Sequence, residues 1–300
     1  MRQPTARYQN LLMDSARWRE VEFRDGDIVI STPPKCGTTW TQMICALLIF
    51  QSVDFPAPLD QMSLWPDMLT RRQDDILGAL RRQRHRRFIK THTPLDGLPF
   101  DERVTYLCVG RDPRDAAISW DHHTANADMD KVMAMRAEAV GPVPPGGDLP
   151  AAPESLRDRF WAWVDDDDVL IGLAPMLRHL SQFWAERHRA NVVLLHYDDL
   201  RTDLPGQMRA LAARLHIEVA EERWPELVRA ATFDYMRGRA RQYAPDLAIW
   251  RDPDRFFHRG STGQWRDLLD ADDLRRYQKR VAELAEADLA AWVHRGLTAD

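Results

Sequence analysis

Cysteine is scarce in these 300 residues: there are three, Cys36, Cys45 and Cys108, with no CxxC pair and no ligand cluster. That excludes a disulfide framework and a cysteine-based metal site, and an odd, sparse set reads as intracellular thiols. Long apolar runs are also missing. The longest, Met43–Phe50, is eight residues, far short of the roughly 20 that cross a bilayer. Met1–Asn10 has no apolar signal-peptide core, so a soluble, cytoplasmic protein is expected. There is no basic excess: Lys+Arg 41 against Asp+Glu 46 gives a net charge of −5, which argues against a general nucleic-acid binder and leaves room for a local basic pocket. Lysine itself is nearly absent. Only Lys35, Lys90, Lys131 and Lys279 stand among the 41 basic residues. Where arginine is the default, a lysine can mark a place that needs a compact charge on a flexible stem. Lys131 and Lys279 read as plain surface.

What is present is a chain able to bury a large core without staples. Short runs rich in Val, Ile and Leu occur at Asp27–Thr32, Arg87–Lys90, Arg103–Gly110 and Asn191–His196. They lack clean alternation, which suits parallel strands buried on both faces. Helical patterns lie between them at Thr38–Phe50, Pro113–Trp120, Pro175–Arg189 and Pro205–Leu215, and a long one closes the chain at Ala271–Trp292. Alternation of this kind predicts an α/β protein with a central parallel sheet flanked by helices. The Pro- and Gly-rich stretch Val140–Pro153 predicts a surface loop or lid within one domain spanning residues 1–300.

The loop Ser31-Thr-Pro-Pro-Lys-Cys-Gly-Thr-Thr-Trp40 follows a strand and opens a helix. Free backbone N–H groups and the positive helix end make that position an anion cradle. Gly37 allows close approach, Thr38 and Thr39 add hydroxyls, and Lys35 adds a charge. The loop is not a Walker A motif, GxxxxGK[ST], because its lysine precedes its only glycine. By itself it fits a tight βα turn equally well. Three further segments fit the same ligand. Lys90 and His92 end a second strand, where ligands of open α/β sheets bind. Arg111 ends a third, with Asp112 suited to the N-cap, Pro113 to the first turn and Ser119 two turns on. Arg259-Gly-Ser-Thr-Gly263 is a possible second anion nest.

In combination these segments resemble the cytosolic-type sulfotransferases, a P-loop-like fold that uses 3′-phosphoadenosine 5′-phosphosulfate (PAPS) as co-substrate and leaves 3′-phosphoadenosine 5′-phosphate (PAP). PPKCGTTW is similar to the family's 5′-phosphosulfate loop, KTHTP to the segment with its catalytic histidine, RDPRDAAISW to its 3′-phosphate motif, and RGSTGQW to its C-terminal signature. The match runs from Ile28 to Arg266. The resemblance implies catalytic roles for His92, Lys35, Lys90 and Ser119. It implies donor binding by Lys35, Cys36, Gly37, Thr38, Thr39, Trp40, Arg111, Ser119, His258, Arg259 and Gly260. It adds Tyr197 near the adenine, and Thr232, Phe233 and Met236 from a TSFxxM-like segment, with Phe233 stacking on adenine opposite Trp40. The chain departs from the pattern at Cys36 for Ser, Ala231 for Thr, His258-Arg259 for Arg-Lys and Gln264 for Asp. The residues after Trp265 do not match the family's dimer motif, and the oligomeric state stays open.

The implied reaction is transfer of a sulfonate to an acceptor hydroxyl or amine. His92, with an ordinary pKa of about 6.5, is the general base, and a pH profile rising through about 6–7 is expected. Lys35 and Lys90 stabilise charge on the leaving and transferring groups. Ser119 holds Lys35 back until the acceptor arrives. No metal is expected, and Asp165–Asp168 reads as a solvated acidic face. The segment 121–170 is expected to shape the acceptor side, with Met133, Met135, Phe160, Trp161 and Trp163 as either pocket lining or core. A small molecule or a glycolipid is the acceptor, and the arginines of Arg81–Arg87 are either a solvated helix end or a contact for anionic lipid headgroups. The competing readings are a P-loop nucleotide kinase, opposed by the missing Walker motif, and a non-catalytic nucleotide-binding protein, opposed by the presence of His92.

Overall fold

A computed structural model describes residues 1–142, 153–166, 170–244 and 247–295. Four parallel strands form one sheet: β1 (Ile28–Ser31), β2 (Phe88–Thr91), β3 (Thr105–Gly110) and β4 (Val192–His196), in the order β2-β1-β3-β4. β1, β3 and β4 lie within the apolar runs, and β2 extends one residue past its run, to Thr91. Every residue of β1 and β2 is buried, as a sheet covered on both faces requires. Ile30 pairs with Lys90 on one side and Leu107 on the other. The chain therefore leaves β1 toward one neighbour and returns as β3 on the opposite flank. That reversal opens a crevice at the carboxyl ends of β1 and β3, where α/β sheets place their ligands.

Helix α1 (Thr38–Phe50) fills the first connection and buries Met43, Ile44, Leu47 and Leu48. It starts at Gly37, whose φ of 99° few other residues tolerate. No side chain caps it, so its first amides stay available. The Pro113–Asn126 helix is longer than the sequence pattern indicates, and its start is fixed by Asp112, which accepts from Arg114 N at 3.0 Å.

Other expectations need correction. The closing helix is two helices, Ala271–Leu284 and Ala287–Arg295, separated at Ala285 by extended backbone. The break lets Trp292 turn inward and stack on Trp184 at 5.1 Å. Phe160, Trp161 and Trp163 are core, with Trp161 donating to Asp273 at 3.0 Å. Residues 143–152 of the expected loop, and Asp167 and Asp168 of the acidic run, lie outside the described residues. The arginine run is divided in its roles. Arg87 is buried against Asp27, and Arg86 donates to the carbonyls of Gly26 and Leu215. Arg81, Arg82 and Arg84 are exposed, but they precede β2 and so sit at the end of the sheet away from the crevice. Among the described residues, no helix is long and apolar enough to cross a membrane.

Candidate active site

The β1–α1 loop is held from several sides. Thr32 Oγ1 and Thr38 Oγ1 lie 2.5 Å apart across its base. Trp40 Nε1 donates to Ala231 O at 2.7 Å. Tyr197 packs beneath the loop, 5.3 Å from the Trp40 ring and close enough to Gly37 that a Cβ there would sit 3.2 Å from it. The Cys36 side chain is fully buried, and burial pushes its thiol up to about 12, so it is a neutral filler. Lys35 has a φ of 67°, an uncommon left-handed conformation for a lysine.

Arg111 crosses the crevice. Its Nη1 donates to Lys35 O at 2.8 Å and its Nη2 reaches Ser261 O at 3.4 Å, while its Cζ lies 4.2 Å over the Tyr197 ring. Its Nε is buried with no partner among the described residues. An unused donor on a guanidinium is costly to bury and suits an incoming anion. The 257–263 loop is fastened from below by Asp115, which accepts from Gly263 N at 2.8 Å and Gln264 N at 3.0 Å. Gly260, with φ 62°, is required sterically because a Cβ would lie 2.4 Å from the Phe233 ring. His258 stacks on His122 with ring centres 3.7 Å apart, and burial, helped by nearby arginines, pushes it down to about 4. Its Nε2 is a second buried atom without a partner among the described residues.

On the far side stand Lys90 and His92. His92 Nδ1 lies 2.7 Å from Thr32 O. A carbonyl only accepts, so Nδ1 carries the proton and Nε2 keeps its lone pair. Thr91 and Thr93, flanking His92, both donate to the buried Asp67 Oδ2, at 2.6 and 2.5 Å. Ser31 Oγ donates to Thr93 O at 2.6 Å and sits 3.0 Å from His179 Nε2. Trp65 presents its ring to both catalytic candidates, 4.1 Å below Lys90 Nζ and 4.9 Å edge-on from His92. Burial, then the Lys90 charge, pushes His92 down to about 3. The imidazole is a neutral base throughout the physiological range, which corrects the expected rise of rate through pH 6–7. Burial pushes Lys90 down to about 8, and burial with Arg111 and Lys90 pushes Lys35 down to about 7.

The structure therefore gathers Lys35, Gly37, Thr38, Trp40, Lys90, His92, Arg111 and Tyr197 around one crevice. Thr39 is half-buried in the first turn of α1. Ser119 lies half-buried on the Pro113–Asn126 helix, and the Lys35 ammonium meets His123 Nδ1, at 3.1 Å. Met236 is 2% exposed and belongs to the core. The Thr232 hydroxyl caps the Phe233–Arg237 helix and donates to Arg229 O at 2.8 Å. Arg259 is exposed beside His258. Sequence reasoning missed Trp65, Asp67, Asp115, His123 and His179. Each acts through a contact distant in the chain, and none lies in a motif that names its role.

Among the described residues no group of histidine, cysteine and carboxylate side chains is arranged to hold a metal. The crevice instead offers open helix amides, two lysines and an unused guanidinium donor, a set that fits a phosphosulfate donor. Comparison with known proteins agrees. A glycolipid sulfotransferase of Mycobacterium bovis is 41% identical over 309 residues, covering 96% of this chain and 94% of that protein. One from Mycobacterium tuberculosis is 41% identical over 308 residues, with the same coverage of both chains. The crystal structure of a mouse sulfotransferase complexed with PAP shares the fold, with a TM-score of 0.70 at 17% identity over 96% of this chain and 97% of that one. The sequence model of the sulfotransferase domain matches residues 25–288. The chain belongs to the sulfotransferase family, enzymes that move a sulfonate group to an acceptor.

Proposed function

We propose that this sulfotransferase takes its sulfonate from PAPS and delivers it to a hydroxyl of a glycolipid. The observation that carries the acceptor class is the 41% identity, across 96% of the chain, to mycobacterial proteins named for that activity. The donor supplies an activated sulfonate, and the chain's residues supply position and charge. The α1 amides with Thr38 and Thr39 receive the 5′ end. Arg111 Nε, with Ser119 and Arg259, receives the 3′-phosphate. Trp40, Tyr197 and Phe233 surround the adenine. His92 Nε2 takes the proton from the acceptor hydroxyl. Its neutrality keeps the lone pair available, and Nδ1–H on the Thr32 carbonyl fixes the tautomer. Lys35 faces the oxygen that gains charge as the sulfonate departs, and Lys90 steadies the group in transit. The segment 121–170 forms the acceptor side of a single domain.

Labelled PAPS offered with an alkyl glucoside in mixed micelles, and separately with a simple phenol, tests the acceptor. Label is expected in the glucoside. Label in the phenol alone would overturn the glycolipid reading and leave the donor reading standing.

A further inference from the structure

The ammonium of Lys35 meets an unusual partner. It lies 3.1 Å from His123 Nδ1, and among the described residues no carboxylate is paired with it. His123 stands one helical turn beyond Ser119, on the same face of the Pro113–Asn126 helix. Its ring is confined by aromatics. Trp120 stacks on it at 5.5 Å, Trp250 meets it edge-on at 4.9 Å, and Phe256 does so at 6.4 Å. That wall is itself fastened to the helix. Asn126 Nδ2 donates to Asp252 O at 2.9 Å, Asp252 N donates to Asn126 Oδ1 at 3.0 Å, and Arg251 N donates to Asn126 O at 2.9 Å.

Lys35 is thus fixed at both ends. Arg111 holds its carbonyl, and His123 meets its charged tip. A lysine stem has four rotatable bonds and searches widely unless its tip is held. A carboxylate would hold it tightly but cancel most of the charge that catalysis needs. A neutral imidazole holds it and leaves the charge in place. Burial, with the nearby Lys35 and Lys90 charges, drives His123 well below its ordinary range, so it is neutral and able to accept.

We propose that His123 is the positioning residue for Lys35, accepting a hydrogen bond from its ammonium through Nδ1 and holding that charge toward the transferring group. The proposal rests on the reading of Lys35 as the residue that meets the donor. It replaces Ser119 as the residue that restrains this lysine.

Two variants separate this role from simple packing. His123→Phe keeps an aromatic ring in the clamp and removes the acceptor. His123→Asn loses the ring and keeps an oxygen near the position of Nδ1. Turnover of labelled PAPS with an alkyl glucoside is expected to fall roughly 10–100-fold in His123→Phe, as for loss of a hydrogen bond to a charged group, and to recover in part in His123→Asn. PAP binding, read by thermal shift, is expected to stay near wild type in both. If packing were the role, the order would reverse, with Phe active and Asn impaired, and the proposal would fail.

A second readout needs no acceptor. With only four lysines, labelling the lysine ε-carbon gives four resonances, assignable through Lys→Arg variants. The charged and titratable groups around Lys35 are Arg111, Lys90, Cys36, His92, His122 and His123. Loss of the hydrogen bond in His123→Phe removes support for the charged amine, so the Lys35 midpoint is expected at lower pH than in wild type, and closer to wild type in His123→Asn. An unchanged midpoint in His123→Phe would overturn the contact itself. Lys35→Ala with normal turnover would instead overturn the donor role of Lys35, and the titration would still decide the contact.

Discussion

The two sides of the crevice are built by different means. The donor side is tied mainly through backbone groups: Arg111 on two carbonyls, Asp115 on two amides, Trp40 on a third carbonyl. The acceptor side is shaped by rings: Trp65 beneath Lys90 and His92, and Trp120, Trp250 and Phe256 around His123. Backbone ties fix loop shape with little dependence on neighbouring side chains, so they suit an invariant ligand. Ring walls exclude water and disfavour charge, and both imidazoles and Lys90 there are driven toward their neutral forms. The donor side is organised for affinity and the acceptor side for reactivity.

The sharpest way to break this contrast is at His92. His92→Ala removes the base and is expected to lower turnover roughly 10²–10⁴-fold, with PAP affinity measured by calorimetry near wild type. Turnover preserved alongside intact PAP binding would move the proton to another group and place reactivity elsewhere. The converse change is Arg111→Ala. It removes the guanidinium that spans the crevice and offers the unused Nε, and is expected to weaken PAP by about 1.5–3 kcal/mol. Turnover at saturating donor is expected to fall much less. An unchanged PAP dissociation constant would detach Arg111 from the donor side.

The smallest effect is a proton count. Lys35 is held down to about 7 and Lys90 to about 8 by burial first, so near pH 7.5 each amine is partly deprotonated before ligand arrives. An anion in the crevice favours the ammonium forms and raises both pKa values. PAP binding is therefore expected to take up a fraction of a proton at pH 7.5, and less at pH 6, read from calorimetry in buffers of different ionisation enthalpy. The same sign predicts that turnover at low donor concentration falls as pH rises through 7–8. Proton release on binding would mean that neither lysine meets the anion.

The donor side was readable from the chain because its residues are local. Lys35 to Trp40 and Arg111 to Ser119 are runs whose strand-then-helix context already places amides and charges. The sheet was readable for the same reason, since its strands are short, mostly apolar runs, and β1, β3 and β4 each lead into a helix. The acceptor side resisted. His123 reaches Lys35 across 88 positions of sequence, and Trp65 meets His92 only because residues 63–67 pack alongside β2, where Lys90 N donates to Leu64 O at 3.0 Å. The break at Ala285 is similarly invisible, because alanine favours helix and only the inward turn of Trp292 decides it.

The double tether on Arg111 has a consequence for the end of the catalytic cycle. A guanidinium already bonded at two nitrogens gives up little freedom when a ligand arrives, so the pocket grips whatever carries the 3′-phosphate at small entropic cost. The spent nucleotide carries that group as fully as the donor does. Binding energy spent there is uniform along the reaction coordinate and does nothing for the chemical step. Its cost falls on departure, so the rigidity that captures the donor also delays the exit of what remains of it.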